Sequence, residues 1–257
     1  IRDRLRTVET FVGGENGVSD DTSENRFTRT GYYYRKYIAP DVDATDNKVD
    51  AAPWKFFRLA EIKLNLAEAA AEAGELDVAK AQVNDIRSRV GMPALDMTAA
   101  NNNPDPLMAS YYPNVNSGAN KGVILEIRRE RTVELLMENF RYWDIMRWKE
   151  GKRFEKPFEG LYFPGVGSYD LNSDGTDDVC IWSGTKPDTK IPVVYELGVD
   201  VKLSEGDHGY IRIHDDPNLV RTWNEERDYL YPIPTDDRVL TQGAISQNPG
   251  WDDGLKF

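Results

Sequence analysis

Residues 58–93 read RLAEIKLNLAEAAAEAGELDVAKAQVNDIRSRVGMP, and this stretch decides the fold. Its first half carries one apolar face at helical spacing, made of Leu59, Ile62, Leu66, Ala69 and Ala73. After Gly74 the same spacing returns at Leu76, Ala79, Val83, Ile86 and Val90. The following Gly91 and Pro93 are typical of a helix end. The stretch therefore predicts two amphipathic helices joined by a tight turn, a hairpin of the size of a tetratricopeptide repeat.

A second hairpin is predicted after a loop over residues 94–119, with helices at about 122–138 and 140–150. Charged side chains share one face of this hairpin if the helix is continuous, namely Arg131, Glu134, Glu138 and Arg141. An ion-pair network between packed helices is the favoured interpretation. A pair of catalytic carboxylates is the alternative.

Beyond residue 151 the pattern changes to glycine, proline, aspartate and short β-branched runs. Short strands are predicted at 179–182, 191–195 and 210–213. We expect a mainly α fold, with tetratricopeptide-like helical hairpins at about 53–150. A loop-rich region with a few short β-hairpins follows at about 151–257. Together these form one domain over residues 1–257.

The bulk composition limits the partners of the chain. A net charge of −12 disfavours nucleic acid and anionic lipid surfaces, because both require a basic patch. The one cysteine, Cys180, excludes an intrachain disulfide. No apolar run is long enough to span a membrane, and no signal peptide is visible. The chain begins at Ile1 within structured-looking sequence, so we expect a longer natural N-terminus.

Residues 170–178, DLNSDGTDD, carry the sharpest chemical motif. Hard oxygen ligands alternate along it, as calcium prefers, and Gly175 allows a sharp turn. The candidate ligands are Asp170, Asn172, Asp174, the carbonyl of Thr176, and Asp178. Position twelve is Ile181 instead of the glutamate of an EF-hand. The motif therefore predicts a structural calcium site, with an Asp/Asn/Gly-rich turn without metal as the alternative.

Catalytic motifs do not emerge from the sequence. With only His208 and His214, the chain lacks HExxH, and it also lacks GxSxG, a P-loop and GxGxxG. Abundant carboxylates always allow a glycosidase-like pair to be picked out, but their abundance is not evidence for one. We therefore expect a protein that is not an enzyme, with a hydrolase as the weaker alternative.

Three segments together resemble the SusD/RagB family. The first comprises residues 58–61, 66–69 and 83–93, and the second is the signature ILEIRRERTVEL at 124–135 with Glu138, RYWDI at 141–145 and RW at 147–148. The third is LYPIP at 230–234 followed by QNPGW at 247–251. The resemblance spans residues 55–251 and places this chain in the C-terminal portion of the family domain. The N-terminal part, with its lipidated cysteine and earlier helices, is missing here.

The resemblance implies a function that composition does not show. Such proteins are lipid-anchored at the outer membrane and bring oligosaccharides, or peptides in some relatives, to a TonB-dependent SusC-like transporter. We therefore expect non-catalytic capture of a glycan at the cell surface, with membrane contact only through an anchor on the missing N-terminus. A peptide-binding or protein-docking role on the same scaffold is the alternative.

Loop aromatics are the candidate ligand residues. Sugars stack an apolar face on an aromatic ring, and loops on a rigid scaffold commonly carry binding residues. On this ground we select Tyr32, Tyr33, Tyr111, Tyr112 and Trp182. The helical Trp143 and Trp148 are expected in the core, and Trp251 is expected to dock the C-terminus.

Overall fold

A computed structural model of the chain describes residues 9–11, 14, 17, 28, 30–34, 36–37, 56–116, 118–213 and 217–255. These residues form two compact units. The helical unit comprises 54–155 and 222–257, and the strand unit comprises 1–53 and 156–221, each as far as it is described. The fold is mainly helical, as predicted. One domain over residues 1–257 stays a prediction.

The first predicted hairpin is present in the helical unit. Helix α1 spans Leu59–Glu72 and helix α2 spans Leu76–Arg89. Gly74 lies between them at φ +82°, a left-handed conformation that glycine adopts without steric cost. The Glu75 amide donates to the Ala70 carbonyl at 2.7 Å and closes the turn.

The buried face of α2 is the predicted one, with Ala79, Val83 and Ile86 inside. The face predicted for α1 is wrong, because Leu59, Ile62 and Leu66 are 65%, 56% and 46% exposed. The packed positions of α1 are instead Leu64, Ala67, Ala70 and Ala71. Helix α1 is apolar on two faces, and the smaller alanine side chains form the face that packs against the core.

Two short helices replace part of the loop predicted at 94–119. Helix α3 spans Met97–Asn102 and helix α4 spans Pro106–Tyr111. The carboxylates of Asp96 and Asp105 cap them by accepting from backbone amides two or three residues into each helix, both at 2.9 Å. These caps, and the burial of Met97 and Met108 in the core, explain helices too short to show a period.

The second hairpin consists of helix α5, Lys121–Glu134, and helix α6, Arg141–Trp148. Helix α5 ends four residues before its predicted end at 138. Between the helices, Met137 and Asn139 take left-handed conformations at φ 62° and 68°. No glycine or proline marks this turn, so the sequence pattern did not indicate it.

Three of the four shared charges of this hairpin form ion pairs with other segments, and Arg141 has no carboxylate partner among the described residues. Arg131 donates to Asp144 at 2.6 Å. Arg58, just before α1, pairs with both Glu134 and Glu138. This arrangement agrees with the interpretation as an ion-pair network between packed helices.

The main core of the helical unit lies between α1, α2, α3, α4, α5 and α6. Its largest side chains include Tyr112, Ile124, Leu125, Ile127 and Trp148. Trp148 is 7% exposed, as predicted for a core residue. In the C-terminal segment, Trp251 donates its indole N–H to the Leu230 carbonyl at 2.9 Å, as expected for a docking residue. A short helix α7, Thr235–Leu240, precedes this segment.

The strand unit contains two small sheets. Strands β1, Glu159–Phe163, and β5, Gly209–Arg212, pair antiparallel. Strand β3, Val179–Trp182, lies between β2, Gly167–Tyr169, which is antiparallel to it, and β4, Val193–Glu196, which is parallel. All three predicted strands are present within two residues, but only β2 and β3 form a hairpin of consecutive strands. The unit has its own core of Phe163, Val179, Ile181, Val201, Leu203 and Ile211.

Candidate functional site

Tyr32 and Tyr33 are the two predicted ligand residues that present their rings to solvent. They are 64% and 46% exposed in the strand unit. The hydroxyl of Thr28 donates to the Tyr32 carbonyl at 3.0 Å, and the Tyr32 amide donates to the hydroxyl of Thr30 at 3.1 Å. These bonds fix the backbone under the tyrosines. Their role as sugar contacts stays a prediction.

Tyr112 is wrong as a ligand platform. It is 1% exposed because it ends helix α4 and lies in the core, instead of in a loop. The edge of the Trp148 ring packs on it, with centroids 5.5 Å apart, and the Arg128 guanidinium lies 5.2 Å from its centroid. Neighbouring Tyr111 is half-buried, and its ring is covered by the Arg153 guanidinium at 3.6 Å. The Tyr112 ring is therefore too buried to stack with a sugar, whereas the role of Tyr111 as a sugar contact stays a prediction.

Trp182, the last of the predicted aromatics, is half-buried at the end of β3. Its indole nitrogen is buried without a hydrogen-bond partner among the described residues. The structure places Tyr32, Tyr33 and Trp182 in the strand unit and Tyr111 and Tyr112 in the helical unit. The five residues therefore do not form one site within either unit.

In the predicted calcium loop, the carboxylates are engaged by the loop's own backbone. Asp170 accepts from the amides of Ser173 and Gly175, at 2.7 and 2.8 Å. These bonds, with that of Gly175 the largest contribution, lower the pKa of Asp170. Asp178 accepts from the Leu171 amide at 2.8 Å, and Asn172 accepts from the Asp174 amide, also at 2.8 Å.

The donor set of this loop fits calcium chemically, since it consists of hard oxygens. Its arrangement in the structure is that of a hydrogen-bonded turn. Asp174 accepts from the Thr176 amide at 2.8 Å, so it too is directed at the backbone. Within the described ranges, no three His, Cys, Asp or Glu side chains lie close enough together to hold a metal ion. Calcium binding at Asp170, Asn172, Asp174, Thr176 and Asp178 stays a prediction.

The helical unit contains an open cleft at the turn between α5 and α6, with a volume of about 610 Å³. The early end of α5 and the left-handed Met137 and Asn139 create this opening. Backbone conformations of this kind are often found at binding sites. The lining residues are Arg131, Thr132, Leu135, Leu136, Met137, Asn139, Phe140, Arg141, Tyr142 and Asp144.

A row of aromatic rings begins at the wall of this cleft. It runs through Trp143, Tyr142, Phe154, Trp223 and Tyr229, with successive ring centroids 5.1, 5.8, 5.3 and 5.0 Å apart. We call these five residues the aromatic row. They come from α6, from the 3₁₀ turn Gly151–Glu155 that follows it, and from the C-terminal segment. Rings at these separations hold one another in place.

The end of the aromatic row beside the cleft is open to solvent. Trp143 is 56% exposed, and Tyr231, whose hydroxyl lies 2.8 Å from that of Tyr142, is 64% exposed. The hydrogen bond between the two hydroxyls raises the pKa of Tyr142 to about 12. Tyr142 therefore stays a neutral phenol at neutral pH and belongs to both the cleft and the row.

Two arginines give the cleft its charge. Arg131 is buried and donates to Asp144 and to Asn65, both at 2.6 Å. Arg141 is half-buried and donates from Nη1 to the hydroxyls of Tyr112 and Thr132, at 2.7 and 3.1 Å. The cleft thus combines apolar walls with fixed hydrogen-bond donors, a combination common in small-molecule sites.

Sequence reasoning missed this site because it favoured loops. It assigned Trp143 to the core, whereas the structure exposes it. The signal that could have found it is the periodicity of α6, in which Asp144, Ile145 and Trp148 share the buried face. Positions 142 and 143 lie away from that face, so two consecutive aromatics there indicate a binding surface.

Comparison with known proteins gives the family. The model of the SusD family matches residues 6–251. The chain belongs to the SusD family. The resemblance of its three sequence segments to SusD/RagB proteins is thereby confirmed, over more of the chain than those segments cover.

Solved SusD-like structures match only in part. A SusD-like protein from Bacteroides fragilis is 26% identical, with a TM-score of 0.45, over 77% of this chain and 26% of that one. BT4246 is 24% identical over 79% and 24%, with a TM-score of 0.48. Its selenomethionine form is 22% identical over 91% and 32%, and its TM-score of 0.52 supports the fold. This SusD family chain therefore spans about a third or less of these relatives. No curated protein matches it significantly.

Proposed function

We propose that this SusD family chain takes part in non-catalytic capture of an oligosaccharide or polysaccharide at the bacterial cell surface. Delivery to a TonB-dependent, SusC-like transporter in the outer membrane is the step that follows in this proposal. Attachment to the membrane would come from a lipid anchor, as the family resemblance implies. In the described part, no helix is long and apolar enough to cross a bilayer.

The observation that carries the proposal is the junction of the cleft with the exposed end of the aromatic row. Tyr142 lines the cleft and stacks edge-on with Trp143. Tyr231 presents a further exposed ring beside Tyr142. Sugar rings offer an apolar C–H face for aromatic stacking and hydroxyls around their edge for hydrogen bonds.

The polar groups of the cleft suit the edge of a sugar ring. The Asn139 amide both donates and accepts hydrogen bonds, and Arg141 has donors beyond Nη1. A pyranose stacked on the Trp143 and Tyr231 end of the row would place its hydroxyls toward these groups. Such binding requires no reacting group, which is consistent with capture.

Native gel electrophoresis with soluble polysaccharides in the matrix tests this proposal. We expect one polysaccharide to retard the chain and the W143A and Y231A variants to lose most of that retardation. Loss of one stacking aromatic costs about 1–3 kcal/mol, or roughly ten- to a hundredfold in affinity. Tyr162→Ala is the matched control, since Tyr162 is a 53% exposed tyrosine in the strand unit.

Two results would contradict the placement of the site. Unchanged retardation of W143A and Y231A would do so, and so would loss of retardation in Y162A alone. If no polysaccharide retards the chain, weight shifts to the peptide-binding or docking alternative. Turnover of a polysaccharide would favour a glycoside hydrolase and contradict capture as the complete description.

A further inference from the structure

Among the described residues, Arg141 is the arginine of helices α5 and α6 that has no acidic partner. Arg131 and Arg147 each pair with Asp144, and Arg147 also pairs with Glu68. Within the described part of the chain, Arg141 donates to neutral acceptors, the hydroxyls of Tyr112 and Thr132. In the part of the chain that the structure describes, no carboxylate oxygen lies within 4.0 Å of its guanidinium. A half-buried cation without an anion is costly unless a ligand provides one.

A second arginine in the same state lies close by. The guanidinium of Arg153 packs on the Tyr111 ring and has no ion pair among the described residues. Its Nε is buried without a hydrogen-bond partner there. Burial lowers the pKa of Arg153, and the positive charge of Arg141 lowers it further.

These arginines surround the ring of Tyr112. Arg128, Arg141 and Arg153 lie 5.2, 5.7 and 6.0 Å from its centroid. Only Arg128 has a carboxylate partner, Glu150 at 3.4 Å. Two of the three positive charges therefore lack an ion pair within the described residues, although the whole chain carries a net charge of −12.

Two carboxylates near this cluster, Asp144 and Glu150, already have partners. Asp144 is shared by Arg131 and Arg147. Glu150 accepts from Arg128 and from the Asn114 amide. The excess positive charge beside the cleft is thus available to an anion from outside the chain.

We propose that the ligand of this cleft is an acidic glycan, with an anionic substituent that pairs with Arg141 while a neighbouring ring stacks at Tyr142. The substituent is a uronate carboxylate or a sulfate ester, since each presents two oxygens on one atom that a guanidinium can bind in a bidentate manner. Arg153 contributes positive potential behind Arg141. This inference rests on the proposed function and names the substrate class of the same site.

The test uses matched polymers in native affinity gels of the full chain. Polygalacturonate provides the carboxylate, and its fully methyl-esterified form provides the same backbone without the charge. Dextran sulfate and dextran form the corresponding pair for sulfate. We expect one charged polymer to retard the chain at least tenfold more strongly than its neutral partner, with an effect that weakens as salt rises. The pair that shows the difference identifies the substituent.

The variants R141Q and R153Q remove one cation each, and R141K keeps the charge without the fork. We expect R141Q to weaken binding of the charged polymer roughly tenfold or more, R141K to retain part of it, and R153Q to have a smaller effect. Arg89→Gln is the matched control, since Arg89 is a 58% exposed arginine paired with Glu134. Thermal melts confirm folding, and R153Q carries the test if R141Q does not fold.

The outcomes separate this inference from the proposed function. One result would overturn the acidic ligand and leave capture intact. In that result both neutral polymers retard the chain as strongly as their charged partners or more strongly. The retardation is lost in W143A and unchanged in R141Q and R153Q. Retardation by charged polymer that R89Q weakens as much as R141Q would show non-specific attraction and also overturn it. Absence of retardation by all four polymers, with retardation by another neutral glycan, rejects the acidic ligand alone.

Discussion

In two charge-rich regions of the molecule, the charged side chains have opposite kinds of partner. Around α5 and α6, carboxylates and arginines pair across helices in buried positions, as Asp144 of α6 does with Arg131 of α5. In the loop 170–178, carboxylates are exposed or half-buried and accept from backbone amides a few residues away, as Asp170 does from Gly175. The ion pairs of the first region connect distant segments of the chain, whereas the hydrogen bonds of the second stabilise the conformation of the loop itself.

This difference shows that burial, more than residue type, decides what a charge contributes. Both regions are rich in carboxylates, and both would pass as candidate sites by composition alone. Among the described residues, the buried network leaves Arg141 without a carboxylate partner at an open cleft, which favours a ligand from outside the chain. In the loop, Asp170, Asp174 and Asp178 accept from the loop's own backbone amides, and calcium binding there stays a prediction.

The largest effect is expected from D144N, because this change leaves the 4% exposed Arg131 side chain without its charge partner. Loss of one partner of a buried pair costs about 3–5 kcal/mol. Urea unfolding of the purified chain measures it. Asp85→Asn is the control, since Asp85 is 56% exposed and pairs with Lys63 at the surface. We expect that change to cost less than about 1 kcal/mol. Equal losses of unfolding free energy in D144N and D85N would contradict the larger contribution expected of the buried ion pair.

The next largest losses of stability are expected from alanine at two glycines, one of which is tightly packed and the other in a left-handed conformation. A Cβ on Gly151 would lie 1.9 Å from the Trp223 ring, so G151A must displace the aromatic row and should cost about 1–3 kcal/mol. A Cβ on Gly175 in the loop meets nothing within 4 Å, but its φ of +87° strains alanine by about 1–2 kcal/mol. We expect only G151A to weaken glycan retardation. Unchanged retardation of G151A by the glycan would show that the aromatic row does not contribute to binding.

Acidification distinguishes the two regions through Glu68 and Asp170. Burial acts to raise the pKa of Glu68, but hydrogen bonds from Arg147 and Trp148 outweigh it and lower the pKa. A lowered folded pKa stabilises the fold above the unfolded value, 4.5 for Glu68, and this contribution is lost as pH falls through the folded pKa. The melting midpoint should therefore depend less on pH in the acidic range in E68Q than in D170N. The reverse order would make the exposed loop the stronger acid-sensitive element.

The smallest effect concerns calcium. If the oxygens of loop 170–178 bind the ion, excess calcium should raise the melting midpoint by a few degrees through mass action, and chelator should reverse this. D170N should abolish the rise, whereas D85N should keep it. An identical midpoint with calcium and with chelator would favour the turn held by its own hydrogen bonds.

Elements with a single strong period were predictable from the sequence. The buried side of α2 at Ala79, Val83 and Ile86 and the β3 strand at 179–182 match their predictions. Helix α1 was predicted in place but with the wrong face, because its alanines and its larger apolar residues follow the same period. Helices α3 and α4 have six residues each, too few for a period, and depend on their aspartate caps.

The site was less predictable because exposure depends on tertiary packing. Tyr111 and Tyr112 look like loop residues, yet helix α4, capped by Asp105, and the core place Tyr112 inside. Trp143 lies in a helix and is exposed because only one side of α6 packs. Nothing in the local sequence says that Arg141 lacks a carboxylate, since its missing partners would come from other helices.

Tryptophan fluorescence of the folded chain during titration with the retarding glycan tests the central claim most directly. Trp143 is the row's exposed indole, so bound glycan should protect it from iodide quenching in the unmodified chain. In W143F, which keeps an aromatic ring at the position, binding should persist while the protection disappears. If protection is equally large in W143F, the glycan covers another tryptophan and the cleft between α5 and α6 is not its site.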